Sequence, residues 1–200
     1  LLNLNLTKEN YIELGREAEN LQHGKSSGLD LHLTALGGCI KFQAGEYSKL
    51  NVKTNNFYII NTGRPIVTTG QCVSSVKQYF THNDHINNFG ENFANLTTQL
   101  EQELLNHNSA EILVILKENH KLLNYIGVVP LRVANFIAEL ENFGAAAKVC
   151  GAGSIAGDSA GAVLALCPDP EMIKAVQNLT LQYGYTMQAV SVDSHGIRIL

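Results

Sequence analysis

The order of the periodic segments from Phe57 onward constrains the fold of this chain more than any other feature. Phe57 to Asn61 is rich in aromatic and β-branched residues and reads as a strand. After Thr62-Gly63-Arg64-Pro65 come long helical patterns over about 69–80, 86–106, 109–125 and 131–142. Ser109 with Glu111 reads as the start of the third, and Gly127 and Pro130 separate the last two. A strand over Ala146–Cys150, a glycine loop, a strand over Ala162–Leu166, a helix over Pro170–Tyr183 and a strand over Met187–Val192 complete the series. With extra helices inserted, this is strand, helix, strand, strand, helix, strand. That succession is the split βαβ or ferredoxin-like pattern, and it predicts an α+β fold.

The preceding residues have a different texture. Thr7 with Glu9 in the first turn predicts a helix over residues 8–21, with Tyr11, Leu14, Ala18 and Leu21 on its apolar face, ended by Gly24. A second, short helix is expected over Leu29–Leu36, closed by Gly37-Gly38. Cys39–Gln43 reads as a strand, and Gly45 to Asn56 as a polar connection to the next one. A domain boundary is expected near residue 63, giving regions 1–63 and 64–200, although strand exchange between two lobes would hide it.

Composition narrows the class of partner. A chain of 200 residues with 45% hydrophobic and 16% charged residues can bury a sizeable core. No apolar run approaches the roughly 18 residues that a bilayer requires, so no membrane association is expected. The net charge of −4, without a cluster of Lys or Arg, argues against nucleic acid. Cys39, Cys72, Cys150 and Cys167 lack a C-x-x-C spacing and suit free thiols in a reducing compartment, which points to the cytoplasm. The chain begins without Met and reads as a piece of something longer.

Two glycine-bearing segments stand out, His23-Gly24-Lys25-Ser26-Ser27-Gly28-Leu29-Asp30 and Gly151-Ala152-Gly153-Ser154. Small residues allow a backbone to bend sharply or approach a ligand closely. Glu19 and Asp30 flank the first turn. Such carboxylates can divide the work of phosphoryl transfer, one holding Mg²⁺ and the other orienting or deprotonating a hydroxyl. On spacing alone the plainer reading comes first: Asp30 caps the short helix and Glu19 is a solvated charge. The second segment is likewise open to reading as a tight turn between core strands. His82 and His85 read as solvated turn residues, while His23 and His120 are either cleft residues or ordinary hydrogen-bonded histidines. Thr62 and Thr69 could bond a ligand, with Thr69 open to capping the helix that follows. Leu122, Leu123 and Ile126 form a stripe that belongs to the core or to an oligomer surface.

The segment Glu19 to Asp30, followed by Leu36-Gly37-Gly38, closely resembles the H-G-x-P-S-G-x-D stretch of mevalonate kinases in the GHMP kinase superfamily. The similarity continues through Ile60-Asn61-Thr62-Gly63-Arg64-Pro65 with Thr69, through Asn119-His120-Lys121-Leu122-Leu123 and Gly127-Val128, and into Lys148-Val149-Cys150-Gly151-Ala152-Gly153. It covers nearly the whole chain. The resemblance implies the end of a GHMP N-terminal lobe over 1–63 and a ferredoxin-like C-terminal lobe with extra helices over 64–200. It implies that Asp30 is the catalytic aspartate, that Glu19 binds magnesium, and that Ser27 and Gly28 lie beside the nucleotide phosphates. Gly151, Ala152 and Gly153 match the family's third glycine-rich motif, on the substrate side of the site. His23, Thr62, Thr69 and His120 fall on cleft positions.

The chain departs from the family at three places. Ser26 replaces a proline, which relaxes a rigid turn and removes no reactive group. Ser154, Ile155 and Ala156 stand where many relatives continue with glycine, and β-branched Ile155 resists positive φ. The upstream lysine and glycine- and serine-rich phosphate loop of the relatives do not occur in these 200 residues, so an isolated chain is expected to be inactive unless another chain completes it. The activity implied for the parent protein is phosphorylation of the terminal hydroxyl of mevalonate with ATP and Mg²⁺, in isoprenoid synthesis. A homodimer is one assembly open to it. The alternatives are a phosphomevalonate kinase, another small-molecule GHMP kinase, or a non-catalytic binding module with the same fold.

Overall fold

The computed structural model describes residues 7–23, 27–43, 45–52, 56–81 and 86–198. The chain divides into two compact units, one formed by 1–53 with 191–200 and the other by 54–190. Gly24, Lys25, Ser26, His82 and His85 lie outside the described residues.

The first unit contains α1 (Lys8–His23), α2 (Leu29–Leu36), β1 (Cys39–Gln43) and β2 (Glu46–Leu50). Thr7 caps α1 as expected, and its partner is Asn10: Asn10 N–H donates to Thr7 Oγ1 at 3.3 Å and Thr7 N–H donates to Asn10 Oδ1 at 3.0 Å. The buried face of α1 differs from the predicted one. Ile12 is buried while Leu14 and Leu21 are 53% and 91% exposed, because α1 meets α2 along the line of Ile12 and Gly15. A Cβ on Gly15 would sit 2.6 Å from Leu31 Cδ2, so the glycine is what lets the helices approach. Ile12, Ala35 and Leu36 form a small core with Ile197.

Part of the expected polar connection is a strand. β2 pairs antiparallel with β1 in the register Cys39↔Leu50 to Gln43↔Glu46, with Gly45 at φ 90° in the connection. Its first four residues are exposed and only Leu50 is partly buried. No apolar alternation marks it, since backbone pairing rather than burial supports this strand.

The second unit is an antiparallel sheet covered by helices. β3 (Phe57–Asn61), β4 (Ala146–Val149), β5 (Ala162–Leu166) and β6 (Thr186–Ala189) lie in the order β4-β5-β3-β6. All three pairings are antiparallel. The second and third strands of the series pair with each other, and the third and fourth flank the first. This is the predicted split βαβ arrangement. β4 and β6 are shorter than expected, and Ser191 and Val192 belong to the first unit.

Its helices are α3 (Thr69–Thr81), α4 (Ile86–Leu105), α5 (Ser109–Tyr125), α6 (Leu131–Asn142) and α7 (Pro170–Gln182); α5 and α6 contact β4, α7 contacts β6, and α4 packs on α5. On α6 Val133, Phe136, Ile137 and Leu140 have no exposed surface, and their spacing puts them on one face against Ile60, Val163 and Ala165 of the sheet. Each such side chain contributes about 1.5–3 kcal/mol by burial. Ile112 and Leu116 of α5 pack with Phe57, Ala146 and Leu166. Among the described residues no helix is long and apolar enough to cross a membrane.

Candidate active site

In the first unit the candidate residues lie toward the end of α1 and at the start of α2. Gly28 is the N-cap of α2 at φ 80° and ψ 0°, a left-handed conformation that favours glycine, and no side chain caps the helix. Ser27 Oγ instead accepts the Leu29 N–H at 3.3 Å. Asp30 is exposed in the first turn, where the helix dipole favours a negative charge. Glu19 is half-buried near the end of α1, and His23 is the last residue of that helix.

His32, which the sequence reading did not single out, fixes the turn. It is 5% exposed and contacts the rings of Phe42 and Tyr47 at centroid distances of 5.1 and 5.5 Å. Its Nδ1 lies 2.6 Å from Gly28 O, and because a carbonyl oxygen only accepts, the proton sits on Nδ1. Gly28 O also accepts the His32 N–H at 3.0 Å. The left-handed glycine is thus held from inside the unit. The i to i+4 spacing of Gly28 and His32 was the available signal.

In the second unit the segment between β4 and β5 is pinned from three directions. Ser154 is fully buried and its N–H donates to Val128 O at 2.9 Å. Gly153, at φ 65°, leaves no room for a Cβ, which would collide with Val128 O and lie 3.2 Å from Val128 C. Cys72 Sγ of α3 reaches Gly153 O at 3.8 Å. At Gly151, with φ 69°, an added Cβ would meet nothing within 4 Å. The open side of the turn is therefore at Gly151 and half-buried Ala152, while the Ser154 amide is spent on Val128. Ile155 needs no unusual backbone, since the positive φ values of this segment fall on Gly151, Gly153, Gly157 and Gly161.

Thr62 is the third anchor. It is 3% exposed; its Oγ1 donates to Gly161 O at 2.9 Å and accepts the Ala160 N–H at 2.9 Å, while its own N–H also bonds Gly161 O. Its hydroxyl proton is committed to the loop. Thr69 is exposed and starts α3, but the cap belongs to Thr68, whose Oγ1 accepts the Gln71 N–H at 3.3 Å while Gln71 Oε1 accepts the Thr68 N–H at 2.8 Å. Asn108 rather than Ser109 likewise caps α5.

His120 is 8% exposed on α5, and among the described residues neither its Nδ1 nor the neighbouring buried Asn119 Oδ1 finds a partner. Burial pushes the His120 imidazole below the usual histidine range. Of the predicted stripe, Leu123 packs against the core. Among the described residues no group of three or more His, Cys, Asp or Glu could hold a metal ion by itself.

No protein-family model matches the chain. The whole chain aligns with mevalonate kinase of Pyrococcus abyssi at 25% identity over 205 residues, covering 59% of that protein. The solved structure of L. major mevalonate kinase in complex with R-mevalonate matches 91% of this chain and 56% of that one, with a TM-score of 0.76 and 22% identity. The chain resembles mevalonate kinases along its whole length, and its fold is that of the solved mevalonate kinase. A further match, Streptococcus pneumoniae phosphomevalonate kinase in complex with phosphomevalonate and AMPPNP, has a TM-score of 0.74 and 17% identity over 96% of this chain and 62% of that one. At such identities the structural likeness speaks to the fold. The chain spans about 59% of the length of the curated relative it matches.

A feature that the sequence reading missed is an open cavity of about 370 Å³ in the second unit, lined by Asn61, Gly63, Arg132, Asp158, Ser159 and Tyr185 among others. The Arg132 guanidinium donates to Tyr183 O at 2.9 Å and lies over the Tyr183 and Tyr185 rings at 5.4 and 5.9 Å. Tyr183 donates its hydroxyl to Glu139 Oε1 at 2.5 Å. That bond to a carboxylate, reinforced by desolvation, pushes its pKa up to about 12. These contacts join residues distant in sequence, so no local motif announces them.

Proposed function

We propose that this chain is part of a kinase that transfers the γ-phosphoryl group of ATP to the terminal hydroxyl of mevalonate. The observation that carries the reading is the alignment of the entire chain with a mevalonate kinase. The left-handed Gly28 turn that presents Asp30 adds support. In the transfer, the substrate oxygen bonds to the γ-phosphorus as the bond to the β–γ bridging oxygen breaks, and the hydroxyl proton must leave. Asp30 is the group proposed to orient that hydroxyl and accept its proton. The backbone around Ser27 and Gly28 is assigned to the phosphate side, and Gly151 to Gly153 to the acceptor side. His23 and His120 remain cleft assignments under the same reading.

Mg²⁺ usually keeps several waters and takes only one or two protein carboxylates beside substrate phosphates, so a single half-buried Glu19 suits it without a larger cluster. When bound, the ion would neutralise charge on the phosphates. Glu19 would hold it by one carboxylate.

The test is Asp30→Asn in the complete gene product. Turnover should fall by roughly 10²-fold or more while the KM for ATP changes little; near-normal turnover overturns the reading. A phosphomevalonate kinase is the second reading, favoured by the S. pneumoniae structure. Product analysis with mevalonate and phosphomevalonate as competing acceptors separates the two.

A further inference from the structure

α2 has eight residues, shorter than the roughly 12–15 at which isolated helices become even marginally stable in water. Its position must come from what holds its ends. His32 and the Gly28 carbonyl hold the first end. At the other end the chain returns after more than 150 residues, and the turn from Asp193 to Arg198 closes on the helix terminus.

The closure satisfies backbone groups on both sides. Ile197 N–H donates to Ala35 O at 3.3 Å, and Gly38 N–H donates to Asp193 O at 2.7 Å. Of the neighbouring helix carbonyls, Leu33 O takes the Gly37 N–H at 2.9 Å and Leu36 O takes Lys49 Nζ at 3.0 Å. Gly37 and Gly196 face each other with no side chain between them. A Cβ on Gly37 would lie 2.6 Å from Asp193 O, and one on Gly196 would lie 2.6 Å from Gly37 N and 2.7 Å from Ala35 C. Both have positive φ, at 63° and 68°. The turn has its own internal brace: the Asp193 carboxylate accepts the His195 N–H at 2.9 Å and the Arg198 guanidinium at 2.5 Å. Lys8 Nζ donates to His195 O at 2.5 Å, which ties the start of α1 to the same turn. Ile197 packs on Ile12, Ala35 and Leu36.

We infer that the Asp193–Arg198 turn is a positioning clamp for the helix that carries Asp30, with Asp193 and Gly196 as its determining residues. The inference rests on the kinase reading above. The clamp works through main-chain contact, so side chains that widen it shift α2 along its length and move Asp30 from the acceptor hydroxyl. Reacting groups misplaced by about 1 Å can lose 10²-fold in rate. Ser27 and Gly28 begin the same helix, so the KM for ATP should rise as well, but by a smaller factor than kcat falls, because the in-line geometry of the acceptor hydroxyl is the more sensitive to displacement.

The experiment is a double-mutant cycle in the complete gene product, measuring kcat and the KM for ATP with mevalonate as acceptor. Gly196→Ala should lower kcat about tenfold or more, a larger factor than the accompanying rise in the KM for ATP. In an Asp30→Asn background the same substitution should lower kcat no further, because the carboxylate it displaces is already gone. Asp193→Ala should act in the same direction, and Asp193→Asn, which keeps an acceptor for His195 N–H, should restore most of the loss. If Gly196→Ala does not fold, Asp193→Ala enters the cycle in its place. A loss that persists in the Asp30→Asn background, or a kcat within twofold of the parent, overturns the clamp while leaving the kinase reading intact. Near-normal turnover of Asp30→Asn alone overturns both.

Discussion

Replacing Gly153 and Gly151 by alanine, one at a time, separates two kinds of constraint on one turn. Both residues have nearly the same left-handed φ, 65° and 69°. That conformation costs an L-residue about 1–2 kcal/mol, and alanine returns about 0.4–1 kcal/mol by restricting the unfolded chain. Gly151→Ala meets open space, so its net cost should be about 1 kcal/mol. Gly153→Ala drives a methyl group into Val128 O, with Val128 Cβ only 3.3 Å away. Relief requires Val128 to retreat, which strains or breaks the 2.9 Å bond from the buried Ser154 N–H. Leaving that amide unpaired costs about 1–3 kcal/mol more. The expected total is near 3 kcal/mol, about 2 kcal/mol beyond the Gly151 variant. At an m-value of about 2 kcal/mol/M, this puts the urea midpoint of Gly153→Ala about 1 M below that of Gly151→Ala. Circular dichroism across a urea series of each variant gives the comparison. Equal midpoints would refute the reasoning, because the shared φ cost alone would then account for both.

Thr62→Val should cost about 1–3 kcal/mol in the same assay by stranding the Ala160 N–H, whereas Thr62→Ser should retain most of the stability. The lowered pKa of His120 means that the unfolded state binds its proton more readily. Stability should therefore fall as pH drops below about 6.5, the ordinary histidine value, and level off below the folded pKa. His120→Gln should flatten that slope in melting curves taken between pH 7 and 5. Burial pushes the Cys167 thiol up to about 11, and Cys72 is 2% exposed. In timed labelling with a thiol reagent at neutral pH, the folded chain should modify both only on unfolding, which mass spectrometry of the labelled peptides would read out.

The elements legible in the sequence are those whose burial is one-sided and strict. The Val133, Phe136, Ile137, Leu140 spacing marks α6 because every one of those residues faces the sheet. β2 carried no such mark, being exposed along nearly all its length. The face of α1 was misread for a related reason. A glycine against Leu31 brings the helices together along Ile12 and Gly15, and hydrophobicity does not report where a missing side chain permits contact. The caps at Thr68 and Asn108 lie one residue before the expected ones, which only the geometry of the side-chain bonds decides. Among the candidate site residues, Glu19, Gly28, Asp30 and the Gly151 turn can be proposed from contiguous motifs. His32, Arg132, Tyr185 and the Asp193 turn cannot, since each takes its meaning from a tertiary contact.

The central strand β3 takes both of its neighbours from later in the chain, β5 starting at Ala162 and β6 at Thr186. At a synthesis rate of about 5–20 residues per second, it emerges roughly 5–20 s before either partner exists. During that interval Phe57, Ile59 and Ile60 present an oily, unpaired edge to anything nearby. The helices born in between must shelter it, or a chaperone must.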